Sequence, residues 1–139
     1  MTQARVEEVY EDRLGARTFL DQAERFKRDA NAPEISFESQ SVLLHNAAIA
    51  ACDAILQANG RRVTPGDGAH VLRLDTALKV VAGDSDDLLE RLEASRSRRN
   101  EASYAAEFVS QASVDDAREA TAELIELARE FVGDPQATL

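Results

Sequence analysis

The sequence predicts an all-α fold, a five-helix up-and-down bundle, with residues 1–139 forming a single domain. Three observations carry this. Apolar residues make up 44% of the chain, with only five Phe, two Tyr and no Trp. Ala, Leu and Val dominate them, a composition that favours helix over sheet. No segment alternates convincingly with period 2, whereas several place apolar residues at helical spacing. Glycine and proline are few, six and three, and no low-complexity tract occurs, so most of the chain is expected to be ordered. At this length about two-thirds of the unfolded surface can be buried, enough for a core without disulfides or metal.

The first helix is predicted over about Thr2–Ala30, with Val6, Val9, Tyr10, Leu14, Phe19, Leu20, Ala23 and Phe26 as its stripe. Pro33 ends it, because proline lacks an amide donor and restricts the residue before it. The second runs from about Ser36 to Ala58 and stops at Asn59-Gly60, a favourable C-terminal signal. Its middle, Val42 to Cys52, is apolar nearly all round, which assigns it to the centre of the bundle. Arg61–Gly68 reads as a loop, punctuated by Pro-Gly and Asp-Gly. The third helix follows over about Ala69–Ala82, ending at Gly83. Asp84-Ser85-Asp86-Asp87 announces the fourth, since a capping residue and acids suit a helix N-terminus; it is expected to reach Tyr104 or Val109. The fifth starts at Ser113, with Asp116 completing an imperfect capping box. Its stripe is Ala117, Ala120, Leu124, Leu127, Ala128 and Phe131, closed by Gly133 and Pro135. The core spans about residues 5–132, and 133–139 read as a flexible tail.

Charge and cysteine content exclude several classes. The chain has 26 acidic and 16 basic residues, a net charge of −10, which excludes binding nucleic acid by bulk positive charge. A local basic pocket stays open. The single cysteine, Cys52, excludes an internal disulfide framework, and no Cys/His spacing suits zinc. No cofactor is implied. The charged N-terminus is unlike a secretory signal, and the longest nearly uncharged stretch, Ser39–Cys52, is too short to span a bilayer. The expectation is a cytoplasmic protein without a membrane partner.

The segment with chemical content is Arg96-Ser97-Arg98-Arg99-Asn100-Glu101-Ala102-Ser103-Tyr104. On a helical wheel with Leu88 at zero, Leu92 falls near ~40° and Ala106 near ~0°. Arg99 falls near ~20°, in the middle of that apolar stripe, whereas Arg96 and Arg98 lie at its edges near ~80° and ~280°. A guanidinium on a core-facing stripe needs a partner or a polar cleft. Asn100 and Tyr104, four apart, share the adjacent face and can converge beside it. The bland alternative is that Arg99 snorkels or pairs with a carboxylate of another helix. His45, on a mostly apolar helix, reads as a core or interface residue, with catalysis as the alternative. His70 reads as a capping or packing residue, and Arg61 with Arg62 as a solvated loop pair.

The order Arg99-Asn100-x-x-x-Tyr104 followed by Ser113-Val114-Asp115-Asp116-Ala117 resembles HEPN-domain proteins, the higher eukaryotes and prokaryotes nucleotide-binding family. The Phe19–Ala23 and Leu43–Ile55 segments also resemble its small bacterial members, so the resemblance covers about residues 5–132. It implies a HEPN-like helical fold, a homodimer, and metal-independent RNA cleavage at a cleft between protomers. Arg99 matches the motif arginine and Asn100 the polar residue after it, whereas Tyr104 stands where the motif has histidine. Such cleavage needs a base for the ribose 2′-OH and a cation for the developing phosphate charge. Tyrosine titrates near 10 and histidine near 6.5, so Tyr104 is a poor base.

Three functions follow as expectations. One is a ribonuclease, as a toxin–antitoxin or defence component, with Arg99, Asn100 and Tyr104 as catalytic residues. Another is a non-catalytic module binding RNA or a nucleotide through Arg96, Arg99 and Asn100, or partnering a nucleotidyltransferase or other protein, whereas the toxin reading calls for an antitoxin partner. The last is a helical interaction protein with no nucleic-acid role. Residues 91–99 hold four arginines and one Glu, and residues 100–139 hold nine acids and two arginines. That contrast suits a confined phosphate site. It equally suits salt bridges to the acidic fifth helix.

Overall fold

The computed structural model describes residues 2–83, 86–94 and 109–133. Its elements are β1 (Val6–Glu8), α1 (Arg13–Asp29), α2 (Phe37–Ala58), β2 (Arg61–Val63), α3 (Ala69–Ala82), a helix α4 over 86–94, and α5 (Gln111–Val132). The protein is thus mostly helical, as its composition requires.

The N-terminal reading is corrected. Residues 6–8 are not helical but pair antiparallel with 61–63, Val6 opposite Val63 and Glu8 opposite Arg61. A small two-stranded sheet therefore stands where a strand-free domain was expected, and Arg61–Val63 are strand rather than loop. The physical reason is a cross-strand charge pair. Arg62 Nη2 lies 2.8 Å from Glu7 Oε1, and Arg5 Nη2 lies 3.3 Å from Glu7 Oε2. The Arg62 hydrogen bond holds the Glu7 carboxyl below its usual range. Helix α1 begins only where Asp12 caps it, its carboxylate accepting from the Gly15 amide at 2.8 Å. The stripe is then Ala16, Leu20 and Ala23, with Phe19 and Phe26 packed alongside. Leu14 lies two residues before Ala16, about 200° round the helix, and is exposed, as are Val9 and Tyr10.

Helix α2 is the centre of the bundle, as its Ala-rich middle predicts. Ala47, Ala51, Cys52, Ala54 and Ile55 are all fully buried. Alanines at these positions let α1 and α5 approach closely. Among the described helices, α2 alone is long and apolar enough to cross a membrane, and most of it is buried by its neighbours. Its N-cap is Ser36, accepting from the Ser39 amide.

The chain path departs from a simple up-and-down bundle between α2 and α3. Asp12 N–H donates to Gln57 O, which sets the start of α1 beside the end of α2, antiparallel. After α2, however, the chain runs back along the N-terminal strap, residues 2–8, before α3 begins. Ala4 N–H donates to Asp67 O and Asp67 N–H to Thr2 O, both at 3.0 Å. Helix α3 therefore advances in the same sense as α2: His70 meets His45, and further on Arg73 meets Asp53. The return along the strand Arg61–Val63, followed by the bend at 65–66, makes this possible.

Helix α5 is capped three residues earlier than its sequence signal, with Ser110 accepting from the Ser113 amide at 3.1 Å. Val109 is buried and not helical, so the fourth helix does not reach it. Arg118 ties the start of α5 to its neighbours, donating to Ala30 O, Asn31 Oδ1 and Gln40 Oε1. At the other end Arg13 and Arg17 donate to Val132 O and Gly133 O. These arginines cover the free carbonyls of the α5 C-terminus and place α1 antiparallel to α5.

Candidate functional site

The four residues expected to act on phosphate, Arg96, Arg99, Asn100 and Tyr104, lie outside the described residues. The turns that lead to them are described. In α4, Leu88 and Leu92 are buried in the main core, as the wheel requires. Arg91, between them, faces α5 and donates to Glu123 Oε2 at 2.8 Å, with Asp87 at 3.6 Å. The Glu123 hydrogen bond holds Arg91 still more firmly protonated. An open pocket of about 350 Å³ beside it is lined by Glu90, Arg91, Ala94, Asp116 and Glu119. The first arginine of the basic run thus makes the salt bridge to the acidic fifth helix that the charge pattern allowed.

A polar seam runs between α2 and α3 in this alanine-rich protein. Two contacts make it, both half-buried. The rings of His45 and His70 stack with centroids 4.7 Å apart and planes 14° from parallel. Further along, Arg73 Nε lies 3.1 Å from Asp53 Oδ1. His45 and Asp53 are eight residues apart, two turns or about 12 Å along α2. That distance separates the carboxylate from the imidazole, so the seam is no proton relay of the Asp–His kind. It is two contacts in series, each joining α2 to α3.

Each contact has its own electrostatics. Burial pushes the Asp53 carboxyl up, and the Arg73 guanidinium only partly offsets this. A carboxyl raised in the folded state binds its proton more readily folded than unfolded. Protonation of Asp53 on acidification therefore favours folding. Burial likewise pushes the Cys52 thiol up, which keeps it an inert core residue.

The stacked imidazoles do not form a metal chelate. A metal bound to an imidazole nitrogen lies in that ring's plane, and two stacked planes only 14° apart do not meet within bonding reach of about 2.1 Å. Among the described residues no three His, Cys, Asp or Glu side chains converge on a metal position. On its α5 side, His45 borders a cavity of about 20 Å³ shared with Ser41, Leu44, Ala48, Leu92, Ala117 and Thr121. Two hydroxyls and an imidazole around a space of that size suit a single water.

Neither Asp53 nor Arg73 was singled out from the sequence. The signal was present in part: Asp53 and Glu38 are the only charged residues in the 22 of α2, and Asp53 sits at i+8 from His45. What the sequence lacked was the sense of α3, without which Arg73 has no assigned partner.

No family model, curated protein or solved structure matches the chain. Its function is therefore argued from its own residues.

Proposed function

We propose that the protein is a HEPN-like helical module that binds RNA or a nucleotide through Arg99 and Asn100, flanked by Arg96 and Tyr104, at a two-fold dimer cleft. The observation that supports this is the register of α4. Leu88 and Leu92 are buried while Arg91 is turned toward α5, which agrees over 86–94 with the wheel on which the sequence pattern alone sets Arg99 with Leu88. Cleavage by the wild type is weak or absent, because tyrosine stands where the family's base would be.

The test is binding of a short single-stranded RNA and of nucleotides, followed by fluorescence anisotropy. Arg99→Ala is expected to remove binding with helicity unchanged. Where cleavage is detectable, it should fall about 10²–10³-fold, as for other oriented donors. Tyr104→His is expected to raise cleavage. Robust metal-independent cleavage that survives Tyr104→Phe would place the chemistry on other residues. A composite cleft also requires two protomers, so sedimentation at micromolar concentration should give twice 15.2 kDa; a monomer removes the cleft.

One observation favours a second reading, a non-catalytic module that partners a nucleotidyltransferase or another protein. Arg91 is already neutralised by Glu123, so the basic run serves structure at its first member. On that reading Arg99→Ala strands a carboxylate and lowers stability by several kcal/mol, on the order expected for a broken buried pair.

A further inference from the structure

We propose that the groove between the C-terminal half of α1 and the facing stretch of α5 is an anion site that takes a phosphate group. Glu24, Lys27, Arg28 and Asn31 of α1 line it with Ile125 and Arg129 of α5, around an open space of about 210 Å³. The four α1 residues recur at i, i+3, i+4 and i+7, so they share one face of that helix. Ile125 and Arg129, four apart, share a face of α5 in the same way. Ile125 is fully buried and forms an apolar floor, with nitrogen donors on both walls.

The charges of the groove are unequal. Arg129 donates to Glu24 Oε1, at 2.6 Å from Nη2 and 3.1 Å from Nε, and to Glu126 on its own helix. Both carboxylates are thereby engaged. Lys27 and Arg28 face no such demand: among the described residues, neither has a carboxylate within ion-pair distance. Asn31 adds further donors. Its Oδ1 accepts from Arg118 Nε at 2.8 Å, so its amide NH2 is the end left to donate. Two uncompensated cations and an amide committed to donation suit a ligand group that only accepts and carries negative charge.

The last turn of α1 accounts for part of this, because cations offset the carbonyl end of a helix. It does not account for the cation on the α5 wall. The terminal carbonyl Ala30 O is moreover already covered by Arg118. Phosphate fits the groove better than carboxylate does. Its oxygens point tetrahedrally and can meet donors on two facing walls, whereas a carboxylate presents two oxygens in one plane. The site is separate from the basic run at 91–99. Arg129 lies about 120° round α5 from Glu123, the residue that meets Arg91 of α4. The inference therefore stands without Arg99.

The test is titration of the full chain with inorganic phosphate, glycerol phosphate and citrate at constant ionic strength, followed by amide NMR spectra. Both phosphates should shift the backbone amides of Lys27 and Arg28 and the side-chain amide of Asn31. The shifts should saturate with a dissociation constant of about 1 mM or tighter. Tighter binding of the ester supports the site and assigns it to a phosphorylated molecule; tighter binding of the inorganic ion supports it and assigns free phosphate. Lys27→Gln and Arg28→Gln should each weaken binding about tenfold, the worth of one charge-assisted hydrogen bond. Both side chains reach solvent, so helicity should be unchanged in either variant. Arg99→Ala should leave the shifts as they are. Shifts that do not saturate in the millimolar range overturn the proposal, and so does an equal response to citrate. Loss of the shifts in Arg99→Ala also overturns it, because the anion would then sit on the basic run.

Discussion

Leu124→Ala is expected to destabilise the domain by about 3–5 kcal/mol, the upper part of the range for buried leucines. Leu124 is fully buried on α5, in the same core cluster as Ala51, Ile55 and Leu20. Half of the buried residues of that cluster are alanines, which have no side-chain rotamers with which to follow a vacated methyl group. A helix that approaches this closely through small residues is also held at its distance by backbone contact. The cavity should therefore persist, and its lining lose contacts that nothing replaces. A domain of this size has a total stability of about 5–15 kcal/mol, so the loss is a large share of the whole. Urea denaturation should show a lower midpoint with an unchanged slope. A shift worth less than 1 kcal/mol would mean that α1 and α5 can close on α2, and that the alanine face is not close-packed.

How much of this was legible beforehand depends on where the information sits. Helix α2 was legible to within a residue, because Ser36 and Asn59-Gly60 bracket an apolar run and both signals are local. Helix α3 was legible over Ala69–Ala82 for the same reason. The strands were not. Three residues are too few to display period 2, and Val6-Glu7-Glu8 continues into Val9-Tyr10 with spacing that also fits a helical stripe. The deciding interaction, Glu7 with Arg62, joins residues 55 apart, and a single sequence carries no mark of that pairing. The sense of α3 followed the strands into obscurity, and with it the meeting of His45 with His70 and of Asp53 with Arg73. The histidines themselves drew attention as polar rings near apolar helices; what they touch depends on topology. The α5 cap was misplaced by three residues because Ser110 and Ser113 are both competent caps. The structure uses the one whose hydroxyl accepts the other's amide.

Gly66→Ala is the substitution that tests this non-local part of the fold, with an expected cost of about 2–4 kcal/mol. Gly66 has φ of +143°, which only glycine adopts without strain, and strain of that kind costs about 1–3 kcal/mol. A Cβ there would also sit 2.3 Å from Thr2 O and 3.0 Å from Ala4 N. Both are backbone atoms of the strap, so neither can rotate aside as a flexible side chain would. The strap must move, and the bonds between Asp67 and both Thr2 and Ala4 go with it. Each backbone bond lost adds about 1 kcal/mol. The consequence should be local in origin: the amides of Ala4 and Asp67 should exchange faster first, followed by those at the start of α3, with the α1–α2–α5 core protected until global unfolding. Because residues 61–67 return the chain to the level of His45, the His45–His70 ring contact should weaken in the same variant. If Gly66→Ala leaves the Ala4 and Asp67 amides as protected as in the wild type, the N-terminal strap does not set where α3 begins.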